Sequence, residues 1–599
     1  MKLIKLAFQP ILTPSLKNPV VAFWFAISFI TPLYFGIVSI FHAYAFRYIV
    51  QDDARLHIVW LQRLTHPALF PDDVIADYFG IIQPAGFQWL YRLAAAVGIE
   101  ALTLAKMLPL LLAIVSTAYL FWVAIALLPV PICGTFTTIL LNQNIWIRDD
   151  LISAAPRAFV YPIFSAFLYY LIKDIKVGWI VSLIALGLFY PQMAIVAVGL
   201  LTLLLVKWQG YKISFSKHIQ DYIWWLAATA IVLTMLLAFS HQVAAQVGEL
   251  TALEEMKRIP EFYPNGRGEY FGVPFLSFWF DGSSGLRLPL FPPVILCGLL
   301  LPLVMWQANT RSARIRLLSP SLSSKITAQV RVVGELMAIA LALFILAHLI
   351  FPTLYLPSRY TFYSIRFALI LASGLMLTLV GDRWWRWIIR QKRRVRDWNL
   401  WDFITVQLSL ALAIAILITP AIPVLFLGGQ GWVVGAPNRI FEHIARSPTD
   451  SLVASLITDI NDNIPAFSQR SVLTGREFAL PYHRDFYAEM QQRAEGLVRS
   501  QYTPNPAVLS SFINTYGLDI WIIDRDFLEP AYLDNLPWLL NSSMRPTVKA
   551  AQQHLQAGIQ PAIASTIQAC TSFEDANLMV LETSCIEQKI RQTKDRGDR

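Results

Sequence analysis

Two adjacent carboxylates, Asp52 and Asp53, stand directly after the first long apolar run of this chain, with Arg55 and His57 inside the next helical turn. A carboxylate can take a proton from an attacking hydroxyl, and arginine holds phosphate oxygens in a planar fork. Ionised groups beside lipid are costly, so they have a partner or a task there. Further polar clusters occur at Arg148-Asp149-Asp150, at Arg157 and at Ser358-Arg359-Tyr360. Asp53 also has a plain structural reading, as the cap of a helix starting at Ala54; one cap needs one carboxylate and leaves Asp52 unexplained.

The elements that position these residues must be apolar. Hydrophobic residues make up 56% of the 599 and charged residues 15%, where soluble domains run near 25% charged. With a mean hydropathy of +0.52, the chain reads as a polytopic α-helical membrane protein. Its net charge of +9 is then topological, and no nucleic-acid partner is expected. About eleven spans are read, at 20–46, 102–129, 131–147, 158–172, 177–189, 193–206, 221–240, 291–308, 332–351, 362–381 and 401–425. The stretch 177–206, broken at Tyr190-Pro191-Gln192, reads equally as one kinked helix or a re-entrant pair.

Charge asymmetry orients this arrangement. With a cytoplasmic N-terminus, the inner segments 1–19, 173–176, 207–220, 309–331 and 382–400 hold 20 Lys and Arg. The longer outer segments 47–101, 148–157, 190–192, 241–290 and 352–361 hold 11. The run from Arg383 to Arg396 is a cytoplasmic anchor flanked by tryptophans. Every polar cluster named above then falls on the outer side. The spans themselves read as nearly bare of charge, with Lys106 and Glu335 toward span ends, which argues against an ion-coupled pump. Arg157 and Arg359, each at the start of a span, are expected to grip an anionic head group.

The first outer loop, 47–101, reads as lying on the membrane. An interfacial helix is expected over Ala54–Leu64, a second capped by Asp72 or Asp73, a turn at Gln83-Pro84-Ala85-Gly86, and a third helix carrying Trp89 and Tyr91. Beyond a linker at Gly428-Gly429-Gln430-Gly431, about 170 residues of ordinary polarity suffice for one domain. Strands are expected at Ser451–Ile457 and Ile520–Ile523, and helices at Tyr487–Ser500 and Pro506–Tyr516, the latter stopped by Gly517. Asp462, His483 and Asp524 read as caps, turns and surface residues. Cys133 and Cys297 read as small hydrophobes. Cys570 and Cys585 flank a strand and either pair in an oxidising compartment or stay free.

Asp52-Asp53 with His57 resembles the acidic pair and histidine that follow the first span in the GT-C class of membrane glycosyltransferases, in its protein O-mannosyltransferase and aminoarabinose-transferase branch. Arg359-Tyr360 is similar to the Arg-Tyr before a late span of that branch, whereas no Trp-Trp-Asp motif of the oligosaccharyltransferase kind is found. The resemblance implies a GT-C-like transmembrane domain over 1–425 and an extracytoplasmic α/β domain over 426–599. It implies transfer of a sugar from a polyprenyl-phosphate donor, delivered through the bilayer, to a glycan, lipid or protein acceptor. Asp52 would be the base, and Asp53 would orient it, share a divalent cation such as Mg or Mn with it, or cap the helix. Arg157, Arg359 and Tyr360 would hold the phosphate, with Arg55, His57, Asp149 and Asp150 in support. The rival reading is a non-catalytic scaffold or a carrier of lipid-linked glycans.

Overall fold

The computed structural model describes residues 6–11, 13–209, 212–309, 320–392, 407, 422, 431–436, 438–575 and 577–597. Among them, five helices are long and apolar enough to cross a membrane: Pro19–Ala43, Ala101–Leu127, Ile219–Val247, Ala328–Leu349 and Ser358–Trp387. Shorter apolar helices cover Pro156–Ile172, Lys176–Phe189, Pro191–Leu204 and Pro293–Trp306. The span expected at 401–425 and most of the expected linker lie outside the described residues.

The region 177–206 forms two helices of 14 residues each, meeting at Tyr190, with Pro191 opening the second. At 1.5 Å per residue such a helix reaches about 21 Å, short of a hydrocarbon core of about 30 Å. The two pack on each other and on Ile219–Val247.

Burial separates the centre of the bundle from its rim. The apolar window of Ser358–Trp387 is 83% buried inside the protein, that of Ile219–Val247 only 11%. The first is therefore the axis and the second faces outward. Gly374 lets the central helix press against Pro131–Ile145, since a Cβ there would meet Thr137 Oγ1 at 1.9 Å.

The C-terminal residues build a five-stranded mixed sheet in the order Ser471–Val472, Leu452–Ser455, Ile520–Asp524, Leu578–Glu582 and Thr571–Asp575. The first three strands run parallel and the last two are antiparallel. Alternation along Ile520–Asp524 feeds two cores. Trp521 and Ile523 face the helices Arg484–Tyr502 and Pro506–Tyr516, and Gly517 ends the latter at φ +65°. Ile520 and Ile522 share a core with Trp60, Phe79 and Phe478. Cys570 and Cys585 are joined in a disulfide.

The apolar face of the segment 47–101, whose amphipathic pattern suggested a membrane surface, packs against the C-terminal residues. Trp60 is 1% exposed and packs against Phe70, Phe79 and Phe478. The expected helix over Ala54–Leu64 is two pieces, an α-helix at Asp52–His57 and a 3-10 helix at Val59–Leu64. Asp73 caps the next helix, accepting from the backbone N–H groups of Ile75 and Ala76 at 2.8 and 2.9 Å.

Candidate functional site

The acidic pair is placed by a strand. Ile49–Gln51 pairs antiparallel with Trp432–Val434, and the Asp52 N–H continues the ladder to the Gly431 carbonyl at 2.8 Å. Gly431 (φ +81°) leaves no room for a Cβ, which would meet Asp149 Cβ at 2.7 Å. The end of the expected linker is therefore pinned behind the acidic motif. The helix starts at Asp52, so both carboxylates sit in its first turn, where the helix dipole favours negative charge. Asp53 is not a cap: Gln51 holds that position and no side-chain cap bond forms.

The two carboxylates face different surroundings. Asp52 is 41% exposed at its side chain and pairs with Arg55, which in turn donates to Asn463 Oδ1 at 2.9 Å. Asp53 turns inward, where Arg157 Nε lies 2.5 Å from its Oδ2. Arg157 Nη2 donates to Asp149 Oδ2 at 2.8 Å, so one guanidinium bridges two carboxylates. Burial raises the Asp53 carboxyl to about 6 against the opposing pull of Arg157. Burial also pushes Asp149 upward, but the charge and hydrogen bond of Arg157 outweigh it and leave the carboxyl below its ordinary value. His57 is pushed down to about 3, by burial first and then by Arg157 and Arg359. Its neutral ring packs edge-on against Phe79 at 6.1 Å.

Arg359, in the short helix Ser358–Phe362, makes no ion pair with any carboxylate among the described residues. It lies within electrostatic reach of Tyr190, Tyr355, Tyr363 and Arg157. Of the two arginines expected to grip an anion, Arg157 is therefore already held by carboxylates and Arg359 is not. Tyr360 points elsewhere: it is fully buried and donates its hydroxyl to the Leu354 carbonyl at 2.8 Å.

Two further arginines, Arg366 and Arg287, escaped the sequence reading, and Arg148 entered it only within the cluster Arg148-Asp149-Asp150. Arg366 stands seven residues after Arg359, in the helix Ser364–Lys392 that follows Ser358–Phe362. It pairs with Asp150 at 2.7 Å, the side chains being 1% and 0% exposed, and Tyr161 bonds to both. Asp150 thus belongs to a buried pair and not to the Asp53 group. Arg366, Arg287 and Arg148 lie 4.1, 4.7 and 5.5 Å from the ring centroid of Phe362. The spacing from Arg359 to Arg366, and the position of Arg287 in a segment between apolar runs, were the available signals.

A cation shared by the acidic residues does not fit this arrangement. Arg157 occupies the place between Asp53 and Asp149, and Arg55 is bound to Asp52. Among the described residues no three His, Cys, Asp or Glu side chains converge in a way that could hold a metal.

No family profile matches this sequence, and no curated protein matches it. Solved structures do. The apo-form oligosaccharyltransferase of Archaeoglobus fulgidus superposes with a TM-score of 0.50 at 10% identity, over 90% of this chain and 73% of that one. Weaker likenesses are to ArnT from Cupriavidus metallidurans (TM-score 0.45, 14% identity, 95% and 98% of the two chains) and to the mycobacterial arabinofuranosyltransferase AftD (0.45, 14%, 87% and 37%). The fold is that of the GT-C membrane glycosyltransferases.

Proposed function

We propose that this chain is a GT-C-type glycosyltransferase that moves a sugar from a polyprenyl-phosphate-linked donor to an acceptor hydroxyl on the extracytoplasmic side of a membrane. The observation that carries this is a division of labour: Arg359, without a carboxylate partner among the described residues, lies within electrostatic reach of a carboxylate pair whose inner member is clamped and whose outer member is exposed. Arg359 would hold the donor phosphate as it departs, where charge develops. Arg157, fixed by Asp53 and Asp149, would set the geometry of that wall. Asp52, the most exposed carboxylate of the cluster, would take the proton of the acceptor hydroxyl while that hydroxyl's oxygen bonds the anomeric carbon. The anomeric carbon–oxygen bond breaks and its electron pair leaves with the phosphate.

Two observations support the outer placement. The Lys and Arg bias puts the site segments opposite the basic anchor at 383–396. The disulfide Cys570–Cys585 belongs to an oxidising compartment. The test is release of labelled sugar from a polyprenyl-phosphate carrier by the purified protein in nanodiscs, with water or added glycan as acceptor. Label leaving the lipid phase is the expected result. Protein that is folded but inert toward every polyprenyl-linked sugar would instead fit a scaffold or carrier.

A further inference from the structure

The Phe362 ring is surrounded by three guanidiniums, those of Arg148, Arg287 and Arg366. Among the described residues only Arg366 has a carboxylate partner, and even there Nε and Nη2 find no acceptor although the residue is 1% exposed. Arg148 and Arg287 make no ion pair among the described residues. Arg287 also holds a left-handed backbone (φ +49°), a conformation side chains other than glycine rarely adopt. Like charges gathered in a partly buried place repel one another strongly unless an anion joins them. Burial, and then the charges of Arg359 and Arg148, draws the Arg287 guanidinium below its ordinary value. Arg287 therefore feels both the Arg359 site and the Phe362 cluster.

We infer that Arg148, Arg287 and Arg366 form a second anion subsite beside Arg359, so that the site takes a lipid-linked diphosphate in preference to a single phosphate; this rests on the lipid-donor reading above. Charge balance points the same way. Five guanidiniums (Arg148, Arg157, Arg287, Arg359 and Arg366) face three carboxylates (Asp53, Asp149 and Asp150), which leaves two positive charges. A sugar phosphodiester brings one negative charge and a diphosphate diester brings two. Nε and Nη2 of Arg366, buried without a partner among the described residues, would supply donors for the second phosphate.

The experiment uses the full chain in nanodiscs and compares binding of farnesyl phosphate and farnesyl diphosphate, each as its methyl ester so that they carry one and two negative charges, and of inorganic pyrophosphate. Farnesyl diphosphate should bind about 10-fold or more tightly than farnesyl phosphate, the scale of one charge-assisted contact. Arg287→Gln and, separately, Arg148→Gln should reduce that preference to about 3-fold or less, with farnesyl phosphate binding unchanged. These two are used because Arg366 also supports the fold. Equal or tighter binding of farnesyl phosphate by the wild type would overturn the diphosphate subsite and leave the donor reading standing. Failure of both lipids to bind would overturn the donor reading itself. Inorganic pyrophosphate matching farnesyl diphosphate would overturn the lipid-linked part of the inference.

Discussion

Two Asp-Asp pairs open two short helices, and they have opposite fates. In Asp149-Asp150 the second carboxylate sinks into the bundle and meets Arg366 and Tyr161, with no exposure left. In Asp52-Asp53 the second carboxylate is only partly sealed, at 18% exposure, and the first is open. Both dipeptides place negative charge in a first helical turn, so local chemistry does not separate them. What separates them is the partner. Arg366 binds Asp150 through Nη1 and ties helix to helix, whereas Arg157 bridges Asp53 to Asp149 beside Arg359, which has no carboxylate partner among the described residues. One pair is sealed inside the bundle and the other keeps Asp52 exposed.

That contrast gives its largest effect on breaking the sealed pair. Arg366→Leu strands a buried carboxylate, which typically costs about 3–5 kcal/mol. Thermal unfolding in detergent should show a large loss of stability. A variant as stable as wild type would remove Asp150–Arg366 from the structural role given to it.

The clamp is a smaller and more selective target. Asp53→Asn removes the charge that Arg157 holds and should lower turnover by about 10- to 100-fold, the scale of a charge-assisted contact, while the protein stays folded. The pH dependence follows from the direction of the shift. Burial raises the Asp53 carboxyl to about 6, so it is protonated below that pH and charged above it. Wild-type activity should therefore fall as pH drops through about 6, and the Asp53→Asn variant should lack that limb. For stability the sign is reversed. A raised carboxyl pKa contributes stability below the unfolded value and loses it as pH rises through about 6, so loss of activity in acid cannot come from unfolding at this group.

Some of this was legible from composition and position. Asp52, Asp53, Arg157 and Arg359 stand out because ionised residues at the ends of apolar runs are rare. The GT-C fold was legible only as a resemblance, carried by Asp52-Asp53 with His57 and by Arg359-Tyr360. Other features were hidden for physical reasons. Arg366 lies inside an apolar run, and its carboxylate partner is 216 residues away in sequence. The apolar face of Leu56, Val59 and Trp60 suits lipid and protein equally, and only the sheet's location shows that it packs on Phe478 and its neighbours. Tyr360 and Tyr363 are both aromatic residues beside Arg359, yet only the helical phase determines that Tyr360 turns to Leu354.

The central claim is that Asp52, the open carboxylate, takes the acceptor's proton during sugar transfer. It is tested most directly by Asp52→Asn, which keeps size and most hydrogen bonding but removes charge and basicity. Single-turnover release of labelled sugar from a polyprenyl-linked donor should fall by about 100- to 10,000-fold, with donor binding within a few-fold of wild type. Wild-type release rates from folded, donor-bound Asp52→Asn protein would contradict the account.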